Sequence, residues 1–260
     1  MSAARDAPVW SATAGVVGAR HLVLVHGSLD RSAGLLKLSR RLDERYRVTR
    51  YDRRGYGRSG LHPGPFDIEQ QVVDLVEVVR TAPEADGPVV IVGHSYGGNV
   101  ALATADRHPD LVAGVVTFES PLSWMPWWPR TSAGGDAIAW RDEPEEAAER
   151  FMRRLIGDER WDRLPPSSRA ARRSEGPAMI GELTDLRQAA PWNAHRIRVP
   201  VLVLHGEHGH EHHRAGSEAL AAMLPSASVA VVADARHFGP NTHPDRVAEM
   251  VTDFVETLRP

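Results

Sequence analysis

The chain has 260 residues, an apolar fraction of 42%, a charged fraction of 25% and a formal net charge of −3. That length fits one large domain, or one domain with a modest insertion, and suffices to bury a substantial core. The near-neutral balance gives no reason to expect nucleic acid or an anionic membrane as partner. Cysteine is absent, which excludes disulfides and thiolate metal sites. No apolar run approaches a bilayer span, and residues 1–20 lack the apolar core of a secretory signal. A cytoplasmic protein, monomer or homodimer, is therefore expected.

In chain order, residues 9–17 suggest a short hairpin at a sheet edge. There follow a strand at 21–25, a helix at 32–45, a strand at 46–52 and a helix at 67–80. Within that helix Ile68, Val72, Leu75, Val76 and Val79 form one apolar stripe. A strand at 89–93, a helix at 96–107 and a strand at 112–119 come next. After a gap the alternation resumes with a strand at 199–204, a helix at 211–224, a strand at 228–232 and a final helix at 244–258. The strand candidates are almost continuously apolar and so read as buried on both faces. This pattern predicts an α/β fold, a mostly parallel central sheet flanked by helices. Residues 121–192 break the alternation with tryptophans, prolines and a charged helical stretch at 142–154. They read as a helical cap inserted after the strand ending at Glu119, with the core formed by 1–120 and 193–260.

Residues 89–98 read Val-Val-Ile-Val-Gly-His-Ser-Tyr-Gly-Gly, placing Gly93, Ser95 and Gly97 in the pattern G-x-S-x-G. With a strand before it and a helix after it, such a turn must be sharp and strained, lifting the serine above the sheet. Gly-Lys-Ser/Thr is missing, which argues against a phosphate loop. The backbone N–H of Tyr96 begins the helix, where free amides and the helix dipole favour a developing oxyanion.

Three more landmarks occur in order around this one. His26-Gly27-Ser28 ends the first strand of the run, 52–59 read Asp-Arg-Arg-Gly-Tyr-Gly-Arg-Ser, and Ala235-Arg236-His237-Phe238 follows the last strand. Together they make the chain resemble the α/β-hydrolase superfamily over essentially its whole length. The resemblance implies a cofactor-free serine hydrolase with Ser95 as nucleophile, His237 as general base and the Ser28 and Tyr96 amides as oxyanion hole. An acyl-enzyme intermediate and a small-molecule ester or lactone substrate follow from it, with thioester, amide and C–C bonds left open. His243 is the main rival base, but Pro244 after it reads as the first turn of the terminal helix.

The sequence departs from the family pattern at the triad acid. Many relatives carry an aspartate in a Gly-x-x-Asp turn after the strand at 199–204. Here the turn reads Gly206-Glu207-His208-Gly209, with glycine at the acid position. Glu119 is the preferred substitute, since some superfamily members carry the acid after the strand that follows the nucleophile. A carboxylate at the end of an apolar run also needs a partner. Glu211 and Glu207 are the alternatives.

His208, His210, His212 and His213 form an H-x-H-x-H-H run, read as a solvated polar loop leading into a helix rather than a metal site. Trp124, Trp127 and Trp128 follow Glu119 closely and are expected to wall a substrate pocket or to anchor the cap. The alternative to catalysis is a non-catalytic small-molecule-binding protein on the same scaffold, to which the missing aspartate lends weight.

Overall fold

The apolar runs become the strands of a single sheet. A computed structural model describes residues 8–60, 62–83 and 87–258. Its strands are β1 (Ser11–Gly15), β2 (His21–Val25), β3 (Arg47–Tyr51), β4 (Val89–His94), β5 (Val112–Phe118), β6 (Val201–Gly206) and β7 (Ala227–Val232). They lie in the order β1-β3-β2-β4-β5-β6-β7. β1 is antiparallel to β3, and every other neighbouring pair is parallel.

Every residue of β2, β4 and β6 is buried, as expected of strands covered on both faces. Two expectations fail at the sheet edges. Residues 9–17 hold one strand, β1, rather than a hairpin, because β3 lies between β1 and β2 and takes up β1's ladder. β7 is an edge strand with Val229 and Val231 38% and 48% exposed, so its apolar run does not signal double burial.

Helices α1 (Leu36–Leu42), α2 (Ile68–Thr81) and α3 (Tyr96–Arg107) belong to the first half of the sheet. The Asp67 side chain caps α2, accepting the Gln70 N–H at 2.8 Å. Between β5 and β6 come α4 (Ala133–Ala139), α5 (Pro144–Ile156), α6 (Asp158–Asp162), α7 (Pro166–Arg173) and α8 (Gly176–Gln188). The chain closes with α9 (Glu211–Met223), α10 (Gly239–Thr242) and α11 (Pro244–Thr257). None of these helices is long and apolar enough to cross a membrane.

One apolar cluster gathers the β4 and β5 side chains with α2, α3 and Leu220 of α9. A second joins the alternate strand residues to α1 and α11. A third lies within the inserted helices, where Ala137, Phe151, Met152, Trp161, Met179 and Leu183 pack with Leu29 and Tyr56 of the core loops.

Buried polar contacts fix the insert to the sheet. Asn99 of α3 donates to the Pro121 carbonyl at 2.9 Å and accepts the Trp192 indole N–H at 3.0 Å, holding both ends of the insert. Arg53 and Glu182 of α8, both fully buried, pair at 2.7 Å, and the Tyr56 hydroxyl donates to the same carboxylate at 2.6 Å. Arg53 also donates to the carbonyls of His26 and Gly27, at 2.9 and 3.1 Å. One guanidinium thus joins the insert to the loop after β2.

Candidate functional site

Because the strands are parallel, the loops after β2, β4, β5, β6 and β7 emerge from one edge of the sheet, where chemistry gathers in open α/β folds. Those loops carry Ser28, Ser95, Glu119, Gly209 and His237 respectively. The candidates are brought together by topology, from positions far apart in the chain; His94, next to Ser95, reaches the His237 carbonyl across 143 residues.

Ser95 stands between β4 and α3 with φ +53° and ψ −124°, a left-handed conformation unfavourable for a side chain other than glycine. A methyl on Gly97 would collide with the Val25 carbonyl, so the elbow closes only with glycine there. Gly27 lies against the serine, where an added Cβ would come within 2.9 Å of the Ser95 Cβ. The Tyr96 N–H is the first of α3 and has no carbonyl four residues back in the helix to bond.

Glu119 immediately follows β5, is fully buried and has φ +47°. Its Oε2 accepts the His237 Nδ1–H at 2.7 Å, and its Oε1 accepts the Gly206 N–H at 3.0 Å. Burial pushes this carboxyl up, but the hydrogen bond and charge of His237 with the Gly206 amide outweigh it and hold the group below its usual range. A Cβ at Gly209 would collide with Glu119 Oε1. The turn that lacks the usual aspartate therefore also lacks the space for one, since Glu119 occupies that space. Glu207 is exposed and accepts the Asp234 N–H at 3.0 Å, and Glu211 is exposed at the start of α9. His243 bonds Thr242 at 2.9 Å just ahead of α11, away from this group.

His94 lies beneath His237, with ring centroids 4.9 Å apart, and donates from Nε2 to the His237 carbonyl at 2.8 Å. Burial, reinforced by His237, holds its pKa down to about 3, so it serves as a neutral strut. The loop after β2 is fixed similarly: His26 Nε2 accepts the Arg53 N–H at 2.9 Å, while Nδ1 faces the Gly27 carbonyl at 2.8 Å.

A cavity of roughly 350 Å³ opens over these groups, and Ser28, Ser95, Gly209 and His237 are in its wall. The insert supplies Trp128, Phe151, Leu155 and Leu183, an apolar face opposite the polar one. Of the three tryptophans, only Trp128 reaches the cavity. Trp124 packs edge-on against Trp192 at 5.4 Å, anchoring the insert, and Trp127 is 44% exposed beside Trp128.

The histidine run also differs from expectation. It does lead into α9, but His208, His210, His212 and His213 all line the cavity. His213 stacks on His237 with ring centroids 4.8 Å apart, and Trp128 presses edge-on against both His212 and His213. The solvated reading holds for His208 and His210, which are exposed, and fails for His212 and His213, which are half-buried in the first turn of α9 against Trp128. Nothing local in the sequence signals that contact.

Comparison with known proteins identifies the family and the fold. Residues 22–250 match the model of a family described as the alpha/beta hydrolase family. A pimeloyl-[acyl-carrier protein] methyl ester esterase of Aromatoleum aromaticum is 30% identical over 190 residues, covering 66% of this chain and 76% of the relative. A 2-(acetamidomethylene)succinate hydrolase of Mesorhizobium japonicum is 25% identical over 250 residues, 90% and 87% of the two chains. The crystal structure of the enol-lactonase from Burkholderia xenovorans LB400 superimposes with a TM-score of 0.75 at 25% identity, covering 95% of this chain and 96% of the other.

Proposed function

The chain belongs to the alpha/beta hydrolase family and is an enzyme of the hydrolase class, and from that premise we propose a serine hydrolase acting on a carboxylic ester or related acyl substrate. The observation that carries this reading is the 2.7 Å bond from His237 Nδ1 to buried Glu119, at the wall of a cavity shared with Ser95. The Nδ1 proton committed to Glu119 leaves Nε2 with its lone pair, the form a general base needs.

In this reading Ser95 Oγ attacks the substrate carbonyl as His237 Nε2 takes its proton. The tetrahedral oxyanion is held by the Ser28 and Tyr96 amides, each such donor contributing about 2.7–4 kcal/mol to the transition state. His237 then protonates the leaving alcohol, the acyl–Ser95 ester forms, and water activated by the same nitrogen releases the acid. Glu119 stabilises the imidazolium in both halves. Residues 121–192 act as the cap, and Trp128, Phe151, Leu155 and Leu183 receive the acyl chain. No cofactor takes part. The ester- and lactone-cleaving relatives support the substrate class, and the cavity of roughly 350 Å³ suits a small molecule.

The test is pre-steady-state hydrolysis of p-nitrophenyl acetate and butyrate. A burst of one nitrophenolate per chain, absent in Ser95→Ala, is expected of an acyl-enzyme. Turnover without a burst that survives Ser95→Ala would overturn the proposal.

A further inference from the structure

His213 is a half-buried imidazole that the hydrolytic steps leave unused. Its Nδ1 is sealed from solvent and has no hydrogen-bond partner among the described residues. The ring lies in the first turn of α9, stacked 26° from the plane of His237. Ligand atoms of Glu119, His213 and His237 all lie within 4.8 Å of one another. Two imidazoles and a carboxylate are a donor set for a four-coordinate zinc ion with one open position.

We propose that Glu119, His213 and His237 form a site for a divalent transition-metal ion of the zinc type, and that filling it switches hydrolysis off. Nitrogen donors favour Zn²⁺ and Cu²⁺ over Mg²⁺, which prefers oxygen and retains its waters. A row of imidazoles leads outward from the site: exposed His210 stacks on His212 at 5.5 Å, and His212 lies tilted against His213 at 4.4 Å.

The chemistry of inhibition follows from the tautomer. If His237 ligates through Nδ1, its proton moves to Nε2 and the ring stays neutral. Nε2 then has no lone pair for the Ser95 hydroxyl proton. If His237 ligates through Nε2, the metal takes that lone pair directly. Either way Glu119 gives its charge to the ion and the base is lost. The inhibitory half rests on the proposed serine mechanism, whereas the binding half needs only the geometry.

The experiment is zinc titration of metal-free protein, by calorimetry and by ester hydrolysis, with each variant referred to its own metal-free rate. Wild type and Ser95→Ala should each bind one tight equivalent. His213→Phe, which keeps a ring but offers no lone pair, should weaken binding and inhibition by roughly tenfold or more, as even outer-sphere partners of a metal do. His210→Asn/His212→Asn should retain the site. In wild type alone, zinc should shield His213 and His237 from diethyl pyrocarbonate, read by mass spectrometry, while His210 still reacts. This arm does not depend on any variant folding.

No tight equivalent, or affinity that survives His213→Phe and disappears in the double variant, would overturn the site. Tight binding with undiminished hydrolysis would overturn the switch. Zinc binding in a wild type that cleaves no ester would leave the site standing and remove the serine-hydrolase reading instead.

Discussion

Replacing Glu119 by Gln changes almost no volume but removes the charge and one acceptor. The Gly206 N–H is a fixed donor 3.0 Å from Oε1, and the His237 Nδ1–H is a second donor 2.7 Å from Oε2. A glutamine has one oxygen for two donors. With that oxygen toward Gly206, its NH₂ faces Nδ1 and forces the imidazole proton onto Nε2, the nitrogen that must accept from Ser95. With the amide reversed, two donors confront each other in a fully buried site, costing about 1–3 kcal/mol. The first arrangement predominates. Loss of the correct tautomer lowers kcat on the order of 10⁴-fold in serine triads, equivalent to about 5.4 kcal/mol of transition-state stabilisation. The assay is kcat and KM on p-nitrophenyl butyrate, with thermal unfolding monitored to show an intact fold. The expected result is a collapse of kcat with little change in KM. A Glu119→Gln enzyme within tenfold of wild type, beside a Glu211→Gln or Glu207→Gln enzyme that has lost activity, would refute the assignment.

Two further outcomes follow from buried charge. Glu182→Leu strands the Arg53 guanidinium, and breaking such a pair from one side costs about 3–5 kcal/mol; a urea midpoint shifted by less than about 1 kcal/mol equivalent would show the pair to be dispensable. Arg53 holds the His26 and Gly27 carbonyls, so activity should fall in Glu182→Leu even at temperatures where it remains folded. The buried histidines give stability a pH dependence. Burial first, then His237, holds His94 down to about 3, and burial with Arg47 holds His21 down to about 4. Both values lie below the unfolded value of about 6.5, so the unfolded chain binds more protons in between. The stability they contribute is complete above about pH 6.5 and is lost as pH falls toward 4. The urea midpoint should therefore drop between pH 7 and pH 4.5, and less steeply in His94→Gln. A midpoint that is flat over that range would contradict the assignment of neutral buried imidazoles.

The sheet was legible because its central strands are buried on both faces and leave continuous apolar runs. The same signal misled at β7, where half-exposed valines on an edge strand look identical in sequence. It misled again at residues 9–17, where β1 pairs with a strand that comes later in the chain. At the candidate site, the elbow around Ser95 is a local feature and so is readable. Glu119 was reachable through an absence, the missing aspartate at Gly209, and the structure supplies the steric reason for that glycine. The cavity role of His213, the tether at Asn99 and the Arg53–Glu182 pair were not legible. Each depends on partners distant in the chain, 129 residues apart for Arg53 and Glu182, and no periodicity or motif encodes such a meeting. The tryptophans show the same limit. Three neighbouring residues of one type take three different environments, and only Trp128 faces the cavity.

Reaction of the intact chain with a fluorophosphonate, located by peptide mass spectrometry, reports whether Ser95 is an activated nucleophile. Rapid formation of one adduct per chain, on Ser95, is expected, slowed by orders of magnitude in His237→Ala. No adduct on the folded protein, or an adduct on another residue formed equally fast without His237, would contradict it.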